Sequence, residues 1–132
     1  MNIRTYRTTD YEHVKKLYMD ASLYGGQFDE ARDSIEKLEN SAKNIFIAEE
    51  NGQIVGTVSI IDDGRVAWLF RFATLSQATA KLLEKSAISE LKNRGHTQVI
   101  VYSPVGRTEL GKRYEELGYT KGADFTAFWK ER

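Results

Sequence analysis

The sequence predicts an α+β domain, an α/β sandwich in which helices flank a mixed, mostly antiparallel sheet. Three observations predict it. Two hairpin turns join three short apolar stretches in the middle of the chain, apolar residues at helical spacing precede and follow them, and further β-like stretches come after the longest helix. Helices that connect strands of one sheet bury their apolar stripes against it, which gives a layered sandwich. The predicted order is β-α-α-β-β-β-α-β-α-β.

Composition narrows the class of protein. A length of 132 residues fits one domain, 1–132. The chain has no cysteine, and it has neither zinc-ligand spacing nor a Walker, Rossmann or nucleophile-elbow motif, so no metal is expected. With 19 acidic and 19 basic residues, no net field attracts nucleic acid. No apolar run approaches the roughly 20 residues that span a bilayer, and polar residues interrupt the start, so we expect no membrane partner and a cytoplasmic location.

The first third of the chain predicts one strand and two helices. Residues 3–7 alternate between apolar and polar, as a short strand does. Thr9 and Glu12 have the spacing of a capping box at the start of the first helix. The triplet Tyr24-Gly25-Gly26 ends that helix. Apolar residues recur at helical spacing in both helices: Val14, Leu17, Tyr18 and Ala21 in the first, then Phe28, Ala31, Ile35 and Leu38.

The middle predicts three consecutive antiparallel strands between about residues 44 and 73. Asn51-Gly52 is a preferred hairpin dipeptide, because both central positions of that turn need positive φ. Asp63-Gly64 marks a second hairpin. Gly56 lies inside the middle strand, where glycine indicates a bulge or the close approach of another segment. The third strand contains alternating large side chains typical of half-buried packing: Val66, Trp68, Phe70 and Phe72.

The last third predicts a long helix, a strand, a short helix and a final strand. The long helix covers 75–94, and Gly95 ends it in the left-handed cap position. Residues 97–102 form a compact apolar run typical of a buried strand, and residues 125–129 form the last strand. The short helix between them carries Leu110, Tyr114 and Leu117 and ends at Gly118.

Three phrases along these elements resemble the GNAT superfamily of N-acetyltransferases. Ile3-Arg4 is followed by Asp10-Tyr11, AEENGQIVGTVSI at 48–60 spans the first hairpin, and RYEELGY at 113–119 spans the last helix. Their order makes the resemblance stronger than any one phrase, and it covers nearly the whole chain. The resemblance implies this fold and direct transfer of an acetyl group from acetyl-coenzyme A to a primary amine of a small molecule or peptide. It leaves a homodimer open.

The resemblance also implies a site for acetyl-coenzyme A. Strand 65–73 would pair through its backbone with the pantetheine arm, and helix 75–94 would present its N terminus to the pyrophosphate. Unpaired N–H groups and the helix dipole favour anions there in any protein. The donor-site residues implied are Phe70, Arg71, Phe72, Leu75, Ser76, Gln77, Ala78, Thr79, Ala80 and Lys81.

This loop departs from the family pattern. The glycines of the usual Gly-x-Gly fall on Gln77 and Thr79, whose Cβ atoms would obstruct a phosphate approaching the backbone. Thr74 and Gln77 have capping-box spacing, which would direct a threonine hydroxyl at one of the amides. The alternative function is therefore a catalytically impaired GNAT-like domain that serves as a ligand- or protein-binding module.

The catalytic candidate is Tyr114. By resemblance it matches a tyrosine that protonates the departing thiolate, and a phenol with a pKa near 10 can serve a thiol with a pKa near 8.5. The alternative is a core residue, since Leu110, Tyr114 and Leu117 share one helical stripe. Tyr24, Gly25 and Phe28 are implied at the acceptor pocket, with an ordinary helix–helix turn as the alternative.

No general base stands out. Strand 65–73 contains neither Asp nor Glu, and Asp62, Glu49 and Tyr24 are equally undistinguished candidates beside a chain of water molecules. His13 and His96 are both expected at the surface. Arg107 and Arg113 near the last helix are also interpreted as solvated surface residues.

Overall fold

The computed structural model describes residues 1–23 and 43–131. The second predicted helix, which carries Phe28 and Leu38, lies outside the described residues. The chain divides into two compact units, Met1–Val101 and Tyr102–Arg132. The assignment of 1–132 to one domain stays a prediction.

The first unit contains a four-stranded antiparallel sheet in the order β1-β2-β3-β4. Between β1 and β2 lie a 3-10 turn, Thr8–Asp10, and the helix α1, Tyr11–Asp20; the helix α2, Gln77–Asn93, follows β4. Among the described residues, no helix is long and apolar enough to cross a bilayer. The strands are β1 Asn2–Thr5, β2 Ile45–Glu50, β3 Gln53–Asp62 and β4 Ala67–Thr74.

Both predicted hairpins are confirmed. Asn51 and Gly52 have φ values of 52° and 76°, and Glu50 pairs with Gln53 across the two-residue turn. The β3–β4 loop is held by the Asp63 carboxylate, whose Oδ1 accepts the N–H groups of Arg65 and Val66 at 2.8 Å each. Local turn chemistry therefore determines the register of the three central strands.

Gly56 has both of the roles predicted for a glycine inside a strand. The β2–β3 register shifts between Ala48 and Glu49, next to the pairing of Ala48 with Gly56. A Cβ at residue 56 would lie 2.8 Å from Thr79 Cγ2 and 2.9 Å from Leu83 Cδ1. The first turns of α2 consequently contact the sheet at a point where only glycine leaves room.

The two helices cover opposite faces of the sheet, which confirms the predicted sandwich. The buried residues on the α2 face are Ala48, Val58, Ile60, Ala67 and Leu69 from the sheet, with Leu83, Ala87 and Leu91 from the helix. On the α1 face they are Ile45, Ile47 and Ala73 from the sheet, with Val14, Leu17 and Tyr18 from the helix.

The start of α1 differs from the prediction. Glu12 does not complete a capping box with Thr9; instead the Asp10 carboxylate accepts the Arg7 N–H at 2.8 Å. Asp10 is fixed in this position by two hydrogen bonds from the Arg4 guanidinium, at 2.8 and 2.9 Å. An ion pair with the first strand thus decides where the turn begins.

The end of α2 is as predicted. Gly95 has φ 94°, and the N–H groups of Gly95 and His96 donate to the carbonyls of Lys92 and Leu91. This pattern is the Schellman motif, in which a left-handed residue allows the last carbonyls to be satisfied.

The predicted strand over 97–102 is reduced to one parallel bridge between Trp68 and Ile100. Thr97 and Gln98 are exposed, and Val99 to Val101 are half-buried. A parallel strand is normally covered on both faces, and this segment lacks that burial.

The second unit contains the helix α3, Thr108–Glu116, followed by Gly118 with φ 98°. The predicted strand at 125–129 is wrong, since these residues form no sheet pairing in the described part of the chain. Phe125 and Phe128 are 79% and 92% exposed. Apolar residues become a strand only where a partner edge accepts their backbone groups.

Candidate functional site

Strand β4 is interrupted by a β-bulge at Arg71 and Phe72. Arg71 has φ 48°, in the left-handed region that glycine usually occupies at the first position of such a bulge. In the register of the two strands, Val58 on β3 lies opposite both residues of the bulge. The pairs on either side are Ser59 with Phe70 and Thr57 with Ala73.

The bulge places two consecutive side chains on one face. Ala67 and Leu69 belong to the core under α2, whereas Ala73 belongs to the core under α1. The extra residue makes this change of face, so Phe70 and Arg71 both point to the α1 side. This differs from the simple alternation predicted for the strand, in which Phe70 and Phe72 shared a face.

Arg71 is held between two aromatic rings. Its Cζ lies 5.1 Å from the ring centroid of Tyr18 and 5.4 Å from that of Phe70. Arg71 is only 5% exposed, and Tyr18 is fully buried. A guanidinium within about 6 Å of an aromatic ring is attracted by the ring quadrupole, by about 2 kcal/mol or more when it is desolvated. The face of the sheet under α1 therefore carries a buried positive charge.

The outer edge of β4 is paired for only a short distance. Leu69 N–H donates to the Ile100 carbonyl and Ile100 N–H donates to the Ala67 carbonyl, both at 3.0 Å. Beyond this bridge, β3 is the only strand described in the first unit that pairs with residues 70–74. Backbone groups on such an edge can pair with an extended ligand.

The start of α2 is capped by a residue other than the one predicted. Ser76 is the N-cap, with extended φ and ψ of −154° and 157°, and its Oγ accepts the Thr79 N–H at 3.1 Å. The Ser76 carbonyl accepts the Ala80 N–H at 3.1 Å. Thr74 remains in β4, so the predicted capping box of Thr74 and Gln77 is wrong. The amide of Ala78 lies in the first turn, where a helix supplies no carbonyl.

The other donor-site candidates differ in exposure. Thr79 and Ala80 are 2% and 6% exposed, and the Thr79 hydroxyl lies 2.9 Å from Ser76 Oγ. Their side chains face the sheet. Leu75, Ser76, Ala78 and Lys81 are exposed, while Gln77 and Phe72 are half-buried. An anion could reach the first turn of α2 from the side that carries Ala78 and Lys81.

Tyr114 lies in α3, in the second unit. Its ring centroid is 5.9 Å from that of Tyr119, with an edge-to-face angle of 67°. Burial raises the pKa of the Tyr114 phenol, and the positive charge of Arg107 lowers it by less. The phenol is therefore protonated at neutral pH. The stripe that Tyr114 shares with Leu110 and Leu117 is half-buried.

Two of the candidate bases are engaged in ion pairs. The Asp62 carboxylate accepts a hydrogen bond from His96 Nε2 at 2.8 Å and forms an ion pair with Arg94 at 3.3 Å. The pKa of Asp62 is lowered most by the hydrogen bond from the Gly64 N–H, and further by those from His96 and Arg94. Glu49 lies 3.2 Å from Arg4. His96, with a side chain 11% exposed, is not the surface residue that was predicted. His13 is exposed, as predicted.

Sequence reasoning missed two features. The Arg4–Asp10 ion pair has a signal in the sequence, because both residues belong to the first phrase that resembles the family. The position of Arg71 between two rings has none, because it depends on a bulge that helix packing and register create.

Tyr24, Gly25 and Phe28, the acceptor-site candidates, lie outside the described residues. No group of three His, Asp or Glu side chains in the described ranges is placed to hold a metal ion.

No protein-family model matches this sequence. Solved structures match it in fold. The apo aminoglycoside 6'-N-acetyltransferase AAC(6')-IG of Acinetobacter haemolyticus has a TM-score of 0.76 at 16% identity, over 100% of this chain and 99% of that chain. AAC(6')-Iy, in complex with the bisubstrate analog CoA-S-monomethyl-acetylneamine, has a TM-score of 0.75 at 20% identity, over 99% and 97%.

A third similar structure is the glucosamine-6-phosphate N-acetyltransferase of Arabidopsis thaliana. Its TM-score is 0.72 at 19% identity, over 98% of both chains. These identities are low and the coverage is nearly complete, so the similarity concerns the fold. The chain has the fold of the GNAT superfamily N-acetyltransferases.

Proposed function

We propose that this protein transfers the acetyl group of acetyl-coenzyme A directly to a primary amine, with residues 1–132 acting as one catalytic domain. The observation that carries the proposal is the continuity of β4 and α2. An edge strand with a bulge leads, through Leu75 and Ser76, directly into the N terminus of a helix. A strand edge suits an extended amide-containing arm, and a helix N terminus suits a pyrophosphate.

The residues present fit this donor in part. The backbone of residues 70–74 offers an edge, the amide of Ala78 offers a first-turn donor, and the exposed Lys81 adds a positive charge. Ser76 already occupies the Thr79 amide, as a cap worth about 1 kcal/mol. A charged pyrophosphate can compete with a contact of that size.

In the proposed reaction the neutral amine attacks the thioester carbonyl. The new C–N bond forms, the C–S bond breaks, and the amine gives a proton to water. We assign to the Tyr114 phenol the proton that the departing sulfur receives, because its raised pKa keeps it protonated. Holding both reactants in position would supply much of the rate gain.

The similar structures support an amine acceptor. One is a glucosamine-6-phosphate N-acetyltransferase, and another is in complex with the bisubstrate analog CoA-S-monomethyl-acetylneamine. The second candidate function is a non-catalytic ligand- or protein-binding domain. It is favoured by one observation, the occupation of the Thr79 amide by Ser76 where the family pattern has glycines.

Titration with acetyl-coenzyme A tests the proposal. A ligand that binds the folded protein stabilises it by about 2.7 kcal/mol at 100 times its Kd, which raises the melting temperature by several degrees. We expect this shift at sub-millimolar acetyl-coenzyme A, together with release of free thiol when amines are added. A shift without thiol release would favour the binding domain, and no shift up to several millimolar would contradict the donor site.

A further inference from the structure

A pocket of about 410 Å³ lies in the first unit, on the α2 side of the sheet. Phe46 on β2 packs against the core under α2, and Thr5 at the end of β1 is its cross-strand partner, so both side chains share this face. The strand β1 forms the edge of the sheet opposite to β4. The second half of α2 lines the other side of the pocket with Lys85, Ser86, Ser89, Glu90 and Asn93.

The pocket borders the part of α2 that carries short polar side chains. Ala87 and Leu91 on the same helix are buried in the core, whereas Ser86 is half-buried and Ser89 is exposed. Serine side chains fill little volume, so space is left beside the core and hydroxyl groups line it. A volume of this size is within the range of small-molecule sites.

The side chains that line the pocket have an excess of positive charge. Lys43 and Lys85 both line it, with Glu90 as the one acidic residue in this lining. Glu90 Oε2 accepts a hydrogen bond from Arg94 Nε at 2.8 Å, and Glu90 Oε1 lies 3.9 Å from Lys43 Nζ. Lys85 has neither an ion pair nor a hydrogen bond within the part of the chain that the structure describes. An anion in the pocket would therefore meet a lysine that no carboxylate has neutralised.

We propose that this pocket binds a small phosphate monoester whose organic group contacts Phe46. A phosphate monoester carries nearly two negative charges at neutral pH and three acceptor oxygens. Lysine is a flexible point charge that suits such a group, and the hydroxyls of Thr5, Ser86 and Ser89 can donate to the same oxygens. The phenyl ring of Phe46 offers an apolar surface to the rest of the ligand. The proposal adds a binding site that acetyl transfer does not require.

A titration followed by NMR locates the ligand. Backbone amide shifts of isotope-labelled protein are recorded with phenyl phosphate, benzoate, phenol and inorganic phosphate as probes. We expect phenyl phosphate to shift amides within 43–46 and 85–93 and to bind about tenfold more tightly than each of the other probes, because it alone combines a dianion with an apolar ring. Equal affinity for benzoate or inorganic phosphate would overturn the ligand class. Shifts confined to residues 76–80, or none at all with phenyl phosphate, would overturn the site.

Variants of exposed residues connect the binding to the pocket. Lys85→Met removes the unneutralised charge and should weaken the affinity for phenyl phosphate about tenfold. Ser89→Asp puts a carboxylate into the pocket and should weaken it at least as much. Lys92→Met is the matched control, because Lys92 is an exposed lysine of α2 outside the pocket lining, and it should leave the affinity unchanged. Unchanged affinity in Lys85→Met or in Ser89→Asp would contradict the proposal.

The same variants separate this pocket from the proposed donor site. Ser89→Asp should lose phenyl phosphate binding and keep the melting shift caused by acetyl-coenzyme A. Ala78→Asp, at the start of α2, should do the reverse. Loss of phenyl phosphate binding in Ala78→Asp would place the phosphate at the helix N terminus and overturn the pocket. Because phenyl phosphate binding is measured without acetyl-coenzyme A, its result stands whether or not the protein transfers acetyl groups.

Discussion

Arg71 combines an unfavourable backbone conformation with a favourable side-chain environment. A left-handed conformation costs a non-glycine residue about 1–2 kcal/mol. The two flanking rings offer a stabilisation of similar size. The contacts of the Arg71 side chain thus offset the free-energy cost of the Arg71 backbone conformation. A residue kept at this cost on one face of a sheet is a strong candidate for a role in ligand binding.

Tyr114→Phe tests the proton donor at the scale of one atom. If the phenol protonates the leaving sulfur, its loss should lower kcat about 100-fold or more and leave the acetyl-coenzyme A melting shift unchanged. Because the pKa of Tyr114 is raised above 10, the ordinary value of tyrosine, the phenol should keep its proton up to pH 10. Wild-type activity should therefore not decline through loss of this proton below that pH. Steady-state rates and thermal shifts measure the two effects separately.

Tyr102→Phe is the control, because Tyr102 is an exposed tyrosine in the same unit. It should retain full activity. Unchanged turnover in Tyr114→Phe would instead assign the ring to packing in the half-buried stripe of α3.

At the scale of elements, the start of α2 shows why capping residues are difficult to assign from sequence. Thr74 and Ser76 are both hydroxyl residues in front of the same apolar pattern. Continued pairing of β4 through Thr74 with Gly56 decides between them. The helix can begin only after that strand ends, and Ser76, with its extended backbone, then serves as the N-cap.

Ala78→Asp tests whether this helix end binds pyrophosphate. Ala78 is exposed in the first turn, where a carboxylate stabilises the helix by about 0.3–1 kcal/mol and repels a bound anion. We expect a small rise in the melting temperature of the free protein and a loss of the shift caused by acetyl-coenzyme A. Ser89→Asp, at an exposed position in the second half of the helix, adds the same charge away from the N terminus and should preserve the shift. A preserved shift in Ala78→Asp would place the pyrophosphate elsewhere.

The elements that could be predicted from sequence are those determined by local chemistry. Asn51-Gly52, Gly95 and Gly118 end or reverse the chain through their own conformations, and all three behave as predicted. The strand at 125–129 depends on a distant partner that its apolar residues cannot specify. For the site, sequence located the junction of strand and helix but not the bulge, because the bulge arises from the fit of β4 against β3 and α1.

At the scale of the whole molecule, a net charge of zero hides an ordered arrangement of charges. Arg4 joins β1 to Asp10 before α1 and to Glu49 on β2. Arg94 joins the end of α2 to Asp62 on β3, beside its bond to Glu90 one turn earlier. These two networks tie the helices to the strands near the helix termini.

The Arg4–Asp10 pair makes stability depend on pH. The hydrogen bond from Arg4 holds the pKa of Asp10 below the ordinary aspartate value of 3.8. A depressed pKa in the folded state contributes stability that is present above the unfolded value and is lost as pH falls through the folded value. Asp10→Asn should therefore lower the free energy of unfolding by roughly 1.5–3 kcal/mol at pH 7.

Urea unfolding of both proteins from pH 7 to pH 2 measures this difference. It should be constant down to about pH 4, the ordinary pKa of an aspartate, and shrink below it as Asp10 in the wild-type protein takes up a proton. Asp20→Asn removes an exposed carboxylate at the end of α1, where the helix dipole disfavours a negative charge, and should not lower stability at any pH. If Asp10→Asn has the same deficit at pH 2 as at pH 7, the loss comes from the geometry of the turn at Arg7 and not from the charge of Asp10.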